Sequence, residues 1–401
     1  MAARKKTTKK TATKAAPSAR KRTTESGRAD GSTERLARTT LESIDEVAKD
    51  VYTQIESGRM PEISMPQRNL KNVKFDRKVG YFELAGNVKT RTLEVNSVKT
   101  FAQTVRLMAL AKEMVASDDF ATKREAYYVS KNWAEAKFNE QRESDTVLDD
   151  IEGMFAFKEI TREHLRFVPE EHGGSVVGPL TVIDRDPDTL EPIRSDCTAM
   201  GSGAYTVPSS VDHLGMETTA SFVLAIETGG MFQRLNHHRY WRTANCILVE
   251  MGGVPTRATR RFVRRLSEDL KLPVFAFVDC DPYGICNIYR TLKVGSGQSA
   301  HVNARFCVPQ AAYLGVTPQD IEDFGLHDAT HPLLEVDVKR AKDALKNDPF
   351  FKAQPKWQAA LKQMLKMGVR AEQQAFAKWG LNFVIEEYLP TKMKAAKSFL
   401  P

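Results

Sequence analysis

The sequence lacks several things, and each absence narrows what it can be. No apolar run approaches the roughly 18–20 residues that span a bilayer. The basic start is followed by no apolar stretch, so a secretory signal is not expected. Only five cysteines occur in 401 residues, scattered as Cys197, Cys246, Cys280, Cys286 and Cys307, with no CxxC pair. That spacing offers no zinc cluster, and the five are expected to be reduced thiols, mostly buried, in a cytosolic protein. GxxxxGK[ST] is absent, so no phosphate-cradling P-loop is present, and HExxH is absent too. Nothing suggests that the chain hydrolyses ATP itself. No internal repeat is found.

What remains is an ordinary globular balance, 41% hydrophobic and 27% charged, with length for two or three domains. The formal charge of +8 is unevenly placed. Residues 1–28 hold ten Lys/Arg and one acid, a net +9, and the remaining 49 basic and 50 acidic residues give −1. "MAARKKTTKKTATKAAPSARKRTTESGR" has almost nothing large and apolar, so it is expected to be disordered. It could be an arm that adds salt-sensitive, sequence-independent affinity for nucleic acid, or a solubilising or targeting tail.

After the tail, Leu36, Leu41, Ile44, Val47 and Val51 recur at helical spacing and Gly58 follows. "PEISMPQRNLKNVKFDRKVGYFELAGN" reads as short strands and turns. "SVKTFAQTVRLMALAKEMVAS" is an amphipathic helix whose apolar face carries Leu107, Leu110, Ala111 and Met114, widened by Val105, Met108 and Val115. A second helical stretch, "TKREAYYVSKNW", follows. Helix, turn, helix, then short strands is a winged-helix pattern. Residues 171–217, rich in Gly, Ser and Pro, read as an irregular connection with some strands. From 221 the apolar strands "SFVLAIE", "ANCILVE" and "PVFAFVD" alternate with helical stretches, which argues for a largely parallel βαβ sheet.

In such a sheet, ligands gather at the carboxyl ends of the strands. Glu227 ends the first strand, Asp279 the third, and Asp281 lies just past it. Adjacent carboxylates resist burial unless a cation joins them, and oxygen-only ligation suits Mg²⁺. The plainer reading is a solvated strand end with Asp281 capping a helix that starts at Pro282, and the two can coexist. On "TRATRRFVRRLSEDL", Ala258, Phe262, Leu266 and Leu270 form one buried stripe. Its five arginines, Arg257, Arg260, Arg261, Arg264 and Arg265, could clamp phosphates or form a solvated face. In "KREAYY", Arg124 precedes Tyr128 by one helical turn and could support a phenolate. A tyrosine pair near a tryptophan is more often packing.

Five segments in order, "PEISMPQRNLKNVKFD", "KREAYY", "VLAIETGGMFQRL", "ILVEMGGVPTRATRRFVRRL" and "VDCDPYGICNIYRTLKVGS", resemble the topoisomerase VI A-subunit family over roughly residues 45 to 390. That family of type IIB enzymes includes the meiotic transesterase that makes double-strand breaks. The resemblance implies an α/β fold. A CAP-like winged-helix domain would precede a Toprim domain with a mostly parallel sheet flanked by helices. It divides the chain into a disordered tail (1–35), a helix and strand segment (36–95), the winged-helix domain with the tyrosine (96–170) and the Toprim domain with a C-terminal helical extension (171–401).

It implies Tyr128 as nucleophile, Arg124 as its helper, and Glu227, Asp279 and Asp281 as holders of Mg²⁺. It also implies double-stranded DNA as substrate, a homodimer of A subunits, and a GHKL-type ATPase B subunit that binds the ATP in an A₂B₂ assembly. A cytoplasmic, nucleoid-associated location follows. The implied activity is a transient double-strand break through a 5′-phosphotyrosyl link, resealed after strand passage. A dedicated break-forming transesterase that does not reseal is the alternative. The chain departs from the family at Met251 and Gly252, where relatives often carry Gly and Lys, in the glycine-rich "ETGGMF", and in the basic tail.

Overall fold

A computed structural model describes residues 22–24, 29–169, 173–396 and 399–401. The chain builds two cores. The smaller one is N-terminal. Helix Ala29–Glu56 packs on helix Val98–Ser117, and the ribbon Glu62–Pro66 with Val88–Thr92 closes against helix Gln141–Met154. Ile44, Ile63, Met65, Leu107, Ala111, Met114 and Ile151 are shut away between them. Met108 and Val115 join the buried face as the periodicity predicts, but Val105 is left exposed. The short helix Lys123–Val129 and the two-residue strands Ala121–Thr122 and Phe167–Val168 complete the helix, turn, helix and strand pattern.

The larger core lies around a six-stranded sheet. Its order is Tyr205–Thr206, Ser175–Val177, Cys246–Glu250, Phe222–Ile226, Val274–Phe277 and Ala312–Gly315. The last four are mutually parallel, and the first two pair antiparallel. All five residues of Phe222–Ile226 are buried, which is why this strand reads as an unbroken apolar run rather than an alternation. The chain enters at Phe222–Ile226, steps to Cys246–Glu250 on one side, then crosses to Val274–Phe277 on the other. That reversal opens a crevice at the carboxyl end of the first strand.

The stretch read as an irregular connection holds Leu180–Arg185, Pro192–Asp196 and Gly215–Thr218, three strands of an antiparallel sheet whose Leu180, Val182 and Met216 are buried in the larger core. Its fourth strand comes from the basic tail. Arg22–Thr24 pairs with Gly215–Thr218, and the Arg22 guanidinium donates to the carbonyls of Leu270 and Lys271. The expectation of disorder through residue 35 therefore stops short at two places, this strand and the helix that starts at Ala29. Composition missed the strand because pairing on a sheet edge uses backbone groups and needs no apolar side chain. The rest of the tail expectation, residues 1–21 and 25–28, lies outside the described residues. All five cysteines are buried free thiols. No helix among the described residues is long and apolar enough to cross a membrane.

Candidate active site

Glu227 immediately follows Phe222–Ile226, and Asp279 lies two residues past the adjacent parallel strand Val274–Phe277. One Glu227 carboxylate oxygen accepts the Asp279 N–H at 2.8 Å, so the two strand ends are tied. Asp281 opens the next helix, and its carboxylate accepts the Gly284 N–H, the geometry of an N-cap. The capping reading and the cation reading thus share one residue. Gly284 has to be glycine. A Cβ there would lie 2.9 Å from Val278 Cγ1, 3.0 Å from the Asp279 carbonyl and 3.2 Å from the Glu227 carboxylate.

These acids are costly as they stand. Burial first, and then the Asp279 charge, pushes Glu227 up to about 8. Burial, with Asp281 and Glu372 nearby, raises Asp279 to about 6. Burial likewise raises Asp281. Among the described residues no lysine or arginine forms an ion pair with any of the three. Hard oxygen donors lacking a positive partner are the donor set that a divalent cation of the Mg²⁺ type takes. Among the described residues no three acids, thiols or imidazoles are gathered closely enough to hold a metal ion, so the fold places the three carboxylates near one rim without closing them into a ligand set.

The tyrosine pair sits on Lys123–Val129, whose start is fixed by a capping box. Thr122 Oγ1 accepts the Glu125 N–H, and the Glu125 carboxylate accepts the Thr122 N–H. The two tyrosines then part. Tyr127 packs on the N-terminal core, its hydroxyl donates to the Asn139 carbonyl at 3.0 Å, and Lys131 Nζ lies 4.0 Å from its ring centre. Tyr128 is 57% exposed, and its hydroxyl has no partner among the described residues. Arg124, one turn earlier, is also exposed and forms no ion pair among them. Within the chain, no hydrogen bond or ion pair among the described residues joins Tyr128 or Arg124 to Glu227, Asp279 or Asp281.

Family models match three consecutive stretches. Residues 99–166 match a type IIB DNA topoisomerase model, and 170–220 the all-beta domain of the DNA topoisomerase VI alpha subunit. Residues 222–393 match the Toprim domain shared by the topoisomerase 6 A subunit and Spo11. The chain is 53% identical over 360 residues to the type 2 DNA topoisomerase 6 A subunit of Methanocaldococcus jannaschii, covering 90% of this chain and 96% of that protein. The chain belongs to the topoisomerase 6 A-subunit family. The corresponding A subunits of Methanothermobacter thermautotrophicus and Halobacterium salinarum are 37% and 36% identical to it, covering 97% and 93% of their lengths.

One feature of this family member had no sequence signal, and a second departs from what its sequence suggested. Gln373, about ninety residues past the aspartates, is fully buried behind them. Its backbone N–H donates to Asp279 Oδ1 at 2.8 Å, its amide donates to the Phe277 carbonyl, and its Oε1 accepts the Thr228 hydroxyl. One glutamine therefore braces both strand ends that carry the acids. The arginine helix Arg257–Glu268 behaves as neither expected reading has it. Arg265 donates to the carbonyls of Val211 and Leu214, and Arg261 pairs with Asp212. Arg264 donates to the Cys307 carbonyl. Arg257 grips Glu152 through two 2.7 Å hydrogen bonds, and His301 Nε2 reaches the same carboxylate at 2.9 Å. Burial alone would raise Glu152, but Arg257 and His301 hold it well below the usual carboxylate range. These arginines fasten the tyrosine-bearing unit and the antiparallel sheet to the acid-bearing sheet.

Proposed function

We propose that this chain cuts and reseals duplex DNA by transesterification, with Tyr128 as the nucleophile. The observation that carries this reading is the contrast on one capped helix: the Tyr127 hydroxyl is used up in the fold while Tyr128 is presented to solvent. The Tyr128 oxygen would attack a backbone phosphorus and form a 5′-phosphotyrosyl bond. The P–O3′ bond breaks, and the departing 3′-oxygen takes up a proton. The phosphodiester bond energy is kept in the link, so the same step in reverse reseals the strand without a ligase. Arg124, one turn away, supports the phosphate or the developing phenolate.

Glu227, Asp279 and Asp281 would hold Mg²⁺, which supplies charge stabilisation to the phosphate when bound. Gln373 and the Asp279 N–H keep two of the carboxylates aimed at the rim. One tyrosine cuts one strand, so a double-strand break requires two copies. That no hydrogen bond or ion pair among the described residues joins the tyrosine to the acids within the chain supports a site shared across a homodimer. A chain without a P-loop calls for a partner, a GHKL-type ATPase B subunit in an A₂B₂ assembly.

The test is relaxation of supercoiled plasmid by the full chain with such an ATPase partner, ATP and Mg²⁺, quenched with denaturant to trap protein on 5′ ends. Relaxed circles with a trapped adduct are expected. Linear DNA that never recloses would indicate a dedicated break-forming enzyme instead. Undiminished cleavage in EDTA would remove the cation from the mechanism.

A further inference from the structure

Outside its tail the chain is close to neutral, yet one region is not. Residues 335–370 hold nine basic and four acidic residues, a net +5, which leaves the rest of the body at −6. Two of those four acids are buried and already neutralised. Asp337 pairs with Arg340 and Arg370, and Asp348 lies 3.5 Å from Arg290. The seven lysines of the region are all exposed, and none forms an ion pair among the described residues. They are also ordered in space. Helix Glu335–Asn347 buries Asp337, Ala341 and Ala344, and at about 100° per residue Lys339, Lys342 and Lys346 fall on the opposite face. Helix Pro355–Met367 packs beside it, buries Trp357, Ala360, Leu361 and Met364, and turns Lys362 and Lys366 outward in the same way.

The helix pair adjoins the candidate cation site through its inner side, and the lysine face lies one helix width further out. The Arg340 guanidinium sits 5.2 Å from the ring centre of Tyr283, two residues past Asp281. Arg370 and Asp337, which brace the two helices, are close enough to Asp281 for their charges to act on its carboxylate. Asp337 and Asp348 point inward to arginines, while Glu335 and Asp343 are exposed beside the lysines, so the outer face of the helix pair is mixed in sign but keeps an excess of positive charge.

We propose that the outer face of the helix pair 335–347 and 355–367 is the track for the duplex arm that runs on from the cleavage site, its lysines neutralising backbone phosphates. The inference rests on the DNA-cleaving reading above and adds where the flanking duplex lies. Lys339 to Lys346 span about 10 Å at 1.5 Å per residue, about three base pairs of rise. Ammonium groups act as point charges on a backbone, so this track carries no sequence readout.

The test uses the full chain with its tail, its ATPase partner, ATP and Mg²⁺, and fluorescent duplexes of about 20 and about 50 base pairs that share one central sequence. Binding is titrated at several salt concentrations for wild type and for Lys339→Gln/Lys342→Gln/Lys346→Gln. At roughly 0.9 per phosphate contact, the slope of log affinity against log salt should fall by about two to three on the long duplex. The affinity lost between 50 and 200 mM salt is then about 15- to 60-fold smaller than for wild type. The effect should shrink on the short duplex, adduct yield at saturating DNA should hold, and the triple Lys→Arg variant should keep the wild-type slope. Parallel slopes on the long duplex, in a wild type that binds and forms the covalent adduct, overturn the track alone. A wild type that forms no adduct on either duplex overturns the cleavage reading and the track with it.

Discussion

Replacing Tyr128 by Phe, with Tyr127→Phe as its partner experiment, separates chemistry from folding on two adjacent residues. The Tyr128 hydroxyl is exposed and has no partner among the described residues, so its loss should cost under about 0.5 kcal/mol, the usual range for a bland surface change. The Tyr127 hydroxyl donates to the Asn139 carbonyl at 3.0 Å, and a hydrogen bond of that kind contributes about 0.5–1.5 kcal/mol. For a cooperative unit of about 150–250 residues, 1 kcal/mol shifts Tm by about 2–4 °C. Tyr127→Phe should therefore melt a few degrees low and still form the covalent adduct. Tyr128→Phe should melt with wild type, bind DNA normally and form no adduct. The assay is denaturant-trapped protein on 5′-labelled DNA, with the linked residue mapped by peptide analysis. An adduct formed by Tyr128→Phe and mapped to Tyr127 would refute the assignment outright.

Asp279→Asn and Asp281→Asn are expected to cripple cleavage with only partial rescue by excess Mg²⁺. Gly284→Ala, whose methyl would press on the Asp279 carbonyl and the Glu227 carboxylate, should raise the Mg²⁺ requirement about 10- to 100-fold; a Mg²⁺ titration of adduct yield decides both. Glu152→Ala takes both short hydrogen bonds from Arg257 and leaves it only Glu163 at 3.6 Å, which costs up to about 3–5 kcal/mol and should lower Tm by several degrees, about 6 °C where the full cost is felt. A melt within about 2 °C of wild type would show that the junction does not depend on this triad. His164 accepts the Thr161 N–H through Nδ1, and burial, with Arg305 adding, holds its pKa down at about 4. The unfolded chain binds that proton below about 6.5, so stability should fall as pH drops from about 6.5 to about 4. His164→Gln should flatten that decline, as read by denaturant melts across the range.

The sequence by itself determined the parts whose signal is local. Buried parallel strands show as apolar runs, so Phe222–Ile226, Cys246–Glu250 and Val274–Phe277 were legible. The acids at their ends were legible because a strand's carboxyl end lies within a residue or two of its last apolar position. Tyr128 was named as a candidate from a short motif, but spacing could not tell a reactive hydroxyl from a packing one. The fold shows the exposure of each, with Tyr127 tied to Asn139 and Tyr128 open to solvent.

Tertiary structure alone decided everything that depends on distant partners. Arg257, Arg260, Arg261, Arg264 and Arg265 look like a solvated or phosphate-binding face because helical periodicity counts charges as outward. Glu152, Asp212 and the carbonyls of Val211, Leu214 and Cys307 arrive from other segments and make inward arginines tolerable. Gln373 reaches Asp279 across 94 residues, and Arg22–Thr24 joins a sheet nearly 200 residues away. Neither leaves a trace in sequence, since a buried amide or an edge strand is defined by what its backbone meets. Periodicity records which way a residue faces on its own element; only the packed fold determines whether that direction leads to water or to another part of the chain.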